Sequence, residues 1–593
     1  MLLPGARPRA AETLRYVVAV TPSGEDAVDA AVAESATLVT LHDSSGELSP
    51  IGLVARARAD DARLTAALRS LGHYDGHSVI TLAERPLDDP GLPDYLAGLA
   101  ENAEVSVAVT VTPGPITRLR AIHVNGDTAG MTLGLTPGEP AQAARVLAAG
   151  ETLQAALQAA GHAFARVDPP IADLDAAHNA LDVTFEVSAG PRVDIGEIAV
   201  SGLTSLDETY IRRRLTLKPG TPFSPEALDA VRTDLSKVPI IASARVVPGT
   251  ALDAAGRLPV TVELSERKLR VVTATAGFST DQGGTASVTW THRNLFGSAE
   301  VLSLTAAITD IGASAATSAG YNIGATYTIP DWRARDQSLT LTALAVKESL
   351  NAYDRTATLG GVAYGFRLDD HLTATLGLAA ERSFITQNMV GQNYALFQTP
   401  LALRYDTSNS TVEPTSGLRA EAQVTPTLSL SNHNATFAIT QISGSGYFDL
   451  GEPGRTVLAL RGIIGSVTGA TTMEIPPDQR FYAGGSGTVR GYRYQSLGPQ
   501  FSANKPLGGT ALAAGTIELR QRFGESWGMA VFADGGQLSP GSRPFQGKFQ
   551  VGVGTGVRYY TSIGAIRLDV AAPVARPKGG DIGEIYVGLG QAF

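Results

Sequence analysis

Two kinds of hydrophobic spacing divide the chain near residue 268. Upstream, short runs that alternate apolar and polar residues flank stretches with helical spacing; downstream, period-two alternation is nearly continuous, broken only by Gly, Asn, Asp, Ser and Pro. The upstream pattern repeats. Gly114-Pro115 is followed by Ile122, Val124 and Gly126, and Gly190-Pro191 by Ile198, Val200 and Gly202, an offset of 76 residues throughout. Val183–Val187 matches Val260–Leu264, and Val107–Val111 holds the equivalent place before Gly114. Three units are implied, over 15–113, 114–189 and 190–266. The alternating ends of each unit predict strands and the middle predicts helix. Leu153–Leu157 leads to Gly161 and Leu64–Leu68 leads to Gly72, glycines suited to the left-handed conformation that closes a helix. The predicted order is one strand, two helices and two strands, with the first unit the most diverged.

From about Leu269 the strands are amphipathic. Leu372, Ala374, Leu376 and Leu378 alternate with Thr373, Thr375 and Gly377, and Leu418, Ala420, Ala422 and Val424 alternate with Arg419, Glu421, Gln423 and Thr425. A soluble sandwich buries the oily side against a second sheet, whereas a membrane barrel turns it to lipid and keeps charge in the lumen. Composition alone leaves both open. At roughly 20 residues per strand and connection, the segment 269–593 makes about sixteen strands, an even number that suits closure. In the final run Ile585, Val587, Leu589 and the terminal Phe593 share one parity and so one face.

Composition narrows the function classes. A chain of 593 residues with 44% hydrophobic and 18% charged positions implies several domains. The absence of cysteine removes disulfides, thiolate metal sites and thiol nucleophiles. A net charge of −10 without a basic cluster argues against nucleic acid as a partner. No apolar run approaches the length of a membrane-spanning helix. Met1–Arg9 lacks the features of a secretory signal, which for an exported protein leaves three readings open: a signal already removed, a misassigned start, or a different location. Enzyme readings fail one by one. Gly552, Gly554 and Gly556 lack the spacing of a dinucleotide fingerprint, Gly484–Gly487 has no following Lys, and no triad is identifiable. His73 and His77, four apart around Gly76, read as a surface turn rather than a metal site. The expectation is a non-enzyme without metal or cofactor.

The most informative stretch is Arg480–Arg493, RFYAGGSGTVRGYR. Val489-Arg490-Gly491-Tyr492 resembles the signature tetrad of the POTRA-barrel transporter superfamily, and Phe532-Ala533-Asp534-Gly535-Gly536 resembles its F-x-D-x-G strand motif. The upstream units resemble POTRA domains. Trp290–Gly297, Tyr405-Asp406 with Pro414–Gly417, and Gly552–Arg558 with Arg567-Leu568-Asp569 are further marks of the family, although Ser562 and Ala565 stand where prolines are usual. The resemblance implies α+β POTRA repeats in the periplasm, followed by an antiparallel β-barrel in the outer membrane of a Gram-negative bacterium. It implies an extracellular loop folded back into the barrel, with Arg490 meeting an inward Asp534. A buried guanidinium needs such a carboxylate, and glycines such as Gly536 permit close approach. Three units point within the superfamily to the TamA-like assembly factors, which work with a TamB-like periplasmic partner on autotransporters and other unfolded outer-membrane clients. Client strands are expected at POTRA edges and at a weak seam between the first and last barrel strands, near Val271 and Phe593, where Gly588 and Gly590 loosen or curve the last strand. The alternatives are a two-partner secretion transporter and a passive pore.

Overall fold

The computed structural model describes residues 13–41, 48–100, 103–279, 283–313, 316–431, 434–561, 564–576 and 582–589. It divides into one compact unit of Met1–Ala199, Thr216–Thr233 and Arg245–Val262, and a second of Val200–Leu215, Asp234–Ala244 and Glu263–Phe593.

The first unit begins with a sheet in the order Arg15–Thr21, Glu104–Thr112, His77–Leu82 and Arg85–Pro86. Alternation in Glu104–Thr112 buries Val105, Val107, Val109 and Val111 against Leu53, Leu64 and Leu68 of the helix Pro50–Leu71. That helix starts where Ser49 accepts from the Gly52 amide, and it stops at Gly72, whose φ is 97°. His73 is not on a surface turn, as the sequence suggested. It follows the helix stop and is buried, with Nδ1 3.1 Å from the Gly114 carbonyl oxygen.

The next sheet pairs Arg118–Asp127 parallel with Ala180–Ser188, which also pairs with Arg166–Val167 and Ile171–Asp175. Its helix is Ala143–Ala159, ending before Gly161 at φ 101°. The expected second helix of this unit is missing among the described residues. Residues 128–142 carry Gly130, Gly134 and Gly138, all at positive φ, together with Pro137 and Pro140, and that composition cannot sustain a helical turn. A third sheet orders Ile241–Pro248, Leu258–Glu266 and Ile195–Ser201, with helices Glu208–Arg214 and Pro225–Ser236.

The second unit is dominated by one antiparallel sheet. Its strands are β1 (Arg270–Ser279), β2 (Gly283–Arg293), β3 (Val301–Ile311), β4 (Gly320–Pro330), β5 (Gln337–Ser349), β6 (Asp354–Arg367) and β7 (Leu372–Gln387). Next comes β8, in two pieces, Val390–Gln398 and Leu401–Asp406, both paired with the strands on either side. Then follow β9 (Gly417–Leu430), β10 (Ala435–Asp449), β11 (Thr456–Thr468), β12 (Ala511–Phe523), β13 (Trp527–Ser539), β14 (Gln550–Thr561), β15 (Gly564–Pro573) and β16 (Glu584–Leu589). Each pairs with the next, as hairpins dictate.

Burial follows parity. On β9, Leu418, Val424 and Leu428 are exposed while Thr425, Thr427 and Ser429 are buried; on β13, Trp527, Met529 and Val531 are exposed while Phe532 and Asp534 are buried. The oily face looks outward and the polar face inward, the reverse of a water-soluble barrel and the requirement of a lipid-facing one. The sheet curls until β1 and β16 lie against one another, yet no ladder joins them among the described residues. Gly588 lies on β16 opposite Arg567, whereas Gly590 and Phe593, like Ser562, lie outside the described residues.

Strand β8 is broken at Thr399-Pro400. The Gly377 amide still donates to the Pro400 carbonyl at 2.8 Å, and the Thr399 amide to the Pro426 carbonyl at 3.0 Å. Pro400 and Pro426 have no amide hydrogen to return. A groove of about 610 Å³ opens there at mid-height, lined by Gly360, Gly361, Leu378, Phe397, Pro426 and Leu428.

Candidate functional site: a loop arginine locked to the inner wall

The connection from β11 to β12, residues 469–510, is long, and its side chains pack against the inward faces of the strands. Its tip carries Arg490, 1% exposed. The Asp534 carboxylate on β13 accepts three hydrogen bonds from this one residue: from its backbone amide at 2.9 Å, from Nε at 2.7 Å and from Nη2 at 3.0 Å. Two parallel bonds from a planar guanidinium fix its angle as well as its place. Nη1 reaches Glu518 Oε2 on β12 at 2.9 Å and Asp569 Oδ2 on β15 at 3.3 Å. The guanidinium carbon stands 3.3 Å from the centre of the Phe532 ring, one inward position before Asp534, so the cation has an aromatic face as well as carboxylates.

Backbone proximity explains the glycines. Gly491 has φ 92°, and a Cβ there would lie 2.8 Å from the Ala572 carbonyl carbon of β15. At Gly552 on β14 a Cβ would fall 1.8 Å from the Arg490 carbonyl oxygen. Gly536 leaves room for Val489, whose Cγ2 would stand 2.7 Å from an added Cβ; Val489 itself is fully buried with Ile463, Leu512 and Leu538. Tyr492 donates its hydroxyl to the Val551 carbonyl at 3.2 Å. Every loop and strand residue singled out from the motifs, Val489 to Tyr492 with Phe532, Asp534 and Gly536, is thus brought to one place.

Sequence reading missed part of the cluster. Glu518 also accepts from Arg520 Nε at 2.9 Å, and Asp569 pairs with Arg558 on β14. Tyr586 on β16, fully buried, accepts from the Gly491 amide at 3.0 Å and so ties the loop to the last strand. The signal available was parity: in Ile517-Glu518-Leu519-Arg520, and again in Arg567-Leu568-Asp569, charges alternate with residues exposed on the outer face.

A second missed cluster lies at the other end of the same unit. Arg214, on the helix Glu208–Arg214, bonds Asp234 through Nη2 at 2.9 Å and Asp331, in the turn between β4 and β5, through Nη1 at 2.7 Å. Tyr210 donates to Asp331 at 2.8 Å, and Arg335 reaches Asp234 at 3.0 Å. Burial alone would pull the Arg214 pKa down, but the Asp331 and Asp234 carboxylates hold it above its ordinary value. Glu266 accepts from the amides of Thr204 at 2.7 Å and of Ser205 and Leu206 at 3.0 Å each. Burial pushes its pKa up, yet the Ser205 hydroxyl and these amides outweigh burial and leave it below the usual carboxylate value.

Comparison with known proteins gives a coherent set of likenesses. A family model described as an Omp85 superfamily domain matches residues 294–593, and the POTRA model, described as a surface antigen variable number repeat, matches residues 128–190. The outer membrane protein assembly factor BamA of Neisseria meningitidis serogroup B is 21% identical over 571 residues, covering 83% of this chain and 69% of the relative. The crystal structure of BamA from Haemophilus ducreyi lacking POTRA domains 1–3 superposes with a TM-score of 0.67 at 17% identity, covering 80% of this chain and 99% of that one.

Proposed function

The chain belongs to the Omp85 superfamily, an outer-membrane β-barrel with periplasmic POTRA structure, and from that premise we propose that it inserts or translocates other outer-membrane proteins by lending them strand edges. The observation that carries the reading is the seam. β1 and β16 lie together without a ladder among the described residues, and inside a membrane a strand edge of that kind is where a further strand can add its backbone hydrogen bonds. The relative named as an assembly factor supports the same direction. The proposed work is mechanical and has no catalytic residue.

The finer reading is a TamA-like factor that receives autotransporter barrels and is served by a TamB-like periplasmic partner, in keeping with the three small sheets that precede the barrel. The test is reconstitution in outer-membrane-like vesicles with an unfolded autotransporter barrel. Protease-protected insertion is scored alongside capture of the client by a photocrosslinker replacing Thr273 on β1. Insertion above empty vesicles together with capture at that site is the expected result. Ion conductance without either would sink the proposal and leave a passive pore.

A further inference from the structure

The loop touches the barrel wall at a second place that the Arg490 lock does not use. Its short helical turn Pro477–Gln479 lies against β6 and β7. There Asp478 Oδ2 is 3.3 Å from Arg355 Nε of β6, and the same guanidinium reaches Glu381 Oε1 of β7 at 2.9 Å and Glu348 Oε2 of β5 at 3.3 Å. The Asp478 and Glu381 side chains are both 1% exposed. Two residues on, Arg480 donates through Nη1 to Gln387 Oε1 at 2.8 Å and to the Leu507 carbonyl at 3.0 Å, and through Nε to the Ile475 carbonyl at 2.9 Å. The Gln387 amide donates in turn to the Ala352 carbonyl at 3.1 Å and the Pro506 carbonyl at 3.3 Å. One β7 side chain therefore holds both limbs of the loop. The Tyr482 ring stands 6.0 Å from that of Tyr353, and Gln398 on β8 meets Gln479 at 3.1 Å.

Asp478 meets Arg355 as a buried ion pair without a hydrogen bond and Arg480 donates to Gln387, so these contacts join the loop to this wall while Arg490 joins it to the other. The two sets share no residue. One sits on β5 to β8 and the other on β12 to β16, so the loop is fastened to wall segments nearly half a circumference apart. We propose that Asp478 and Arg480 form a second clamp, on the wall of β6 and β7, that positions the loop inside the barrel independently of Arg490. Breaking the Arg490 lock then frees the tip while the first limb remains a partition in the lumen. Asp478 and Arg480 are positioning residues, acting through the loop they hold.

The absence of cysteine makes the test clean. Ile475→Cys reports on the first limb, where Ile475 is fully buried among Ala435, Phe437 and Val467, and Val489→Cys reports on the tip. Labelling of the folded protein in vesicles by a membrane-impermeant maleimide measures how often each site opens. With Arg490→Ala, labelling at 489 should rise by about a thousandfold or more and at 475 stay within about twofold of native. With Asp478→Asn and Arg480→Gln together the order should reverse. Arg355→Gln, made on the wall side, should repeat that reversal and carries the test if the paired loop variant does not fold. Equal exposure of both sites by Arg490→Ala alone, or a protected 475 in folded Asp478→Asn, Arg480→Gln and Arg355→Gln proteins, would overturn the second clamp. Client insertion plays no part in the readout, so it stands apart from the functional reading above.

Discussion

Removing Asp534 and removing Arg490 should not cost the same, and the difference can be worked from the contacts. Asp534→Ala deletes three charge-assisted hydrogen bonds but leaves the guanidinium beside Glu518 and Asp569, so the loop should lose docking stability near the lower end of the range for a broken buried pair, about 3 kcal/mol. Arg490→Ala takes away the bidentate partner of Asp534 and a cation shared with Glu518 and Asp569, which keep Arg520 and Arg558, and should cost about 5 kcal/mol. The double variant leaves neither the cation nor its main carboxylate stranded, so its cost should fall well short of the sum, with a coupling of about 2 to 3 kcal/mol. The assay is a double-mutant cycle on tip opening, read from maleimide labelling of Val489→Cys at several reagent concentrations. A coupling of that size is a deviation from additivity of roughly 30- to 150-fold in the opening constant. Additive costs, within about 0.5 kcal/mol, would refute the pairing as the source of docking.

Other outcomes follow from the same geometry. Gly552→Ala should unseat the tip as fully as Arg490→Ala while leaving the barrel folded, because the added Cβ cannot coexist with the Arg490 carbonyl oxygen; labelling of Val489→Cys would show it. Arg214→Met should destabilise the end of the second unit by about 3 to 5 kcal/mol, since among the described residues it leaves Asp331 without a cation and Asp234 with Arg335 alone, and a lowered protection of the Glu208–Arg214 amides against hydrogen exchange is the measurement. Glu266, held below its ordinary pKa, stabilises the 204–206 turn fully at neutral pH and above about pH 4; that contribution is lost as pH falls through its lower folded value. Exchange protection of the Thr204, Ser205 and Leu206 amides, corrected for the intrinsic rate, should therefore drop on acidification, and Glu266→Gln should abolish the pH dependence.

What could be read from the sequence was whatever is local. Alternation in Leu418–Thr425 states which side chains share a face, and short hairpin turns then dictate the strand order without any long-range information. Gly72 and Gly161 mark helix ends because a positive φ is a property of the residue itself. The Arg490 and Asp534 pairing was legible only because two motifs announced both ends. Parity puts Glu518 and Asp569 on the inner face, and Asp569 falls in a family mark, but neither these nor Tyr586 states its partner, since an inward charge or hydroxyl in a strand looks the same whether it meets water or a folded-back loop. The clamp at Arg355 and Asp478 was hidden for the same reason, across 123 positions of chain. In the second repeat, the offset of 76 carried over a helix that the glycines and prolines of 128–142 do not permit.

The interruption at Thr399-Pro400 acquires a mechanical meaning from where it falls. Counted over the described residues, with its two pieces taken as one, β8 is the eighth of sixteen strand positions from the seam, directly across the ring from it. When a split hoop is prised apart at its gap, the bending moment peaks at the point opposite. At that point this hoop has two prolines that return no hydrogen bond, the glycine pair Gly360-Gly361 and an open groove of about 610 Å³ on its outer face. The strain of widening the seam should therefore gather at β8 rather than spread around the wall. Spin labels on β6 and β10 should change their separation as the seam widens, while an equally spaced pair on β12 and β15 stays fixed; equal changes at both pairs would mean that the wall yields uniformly.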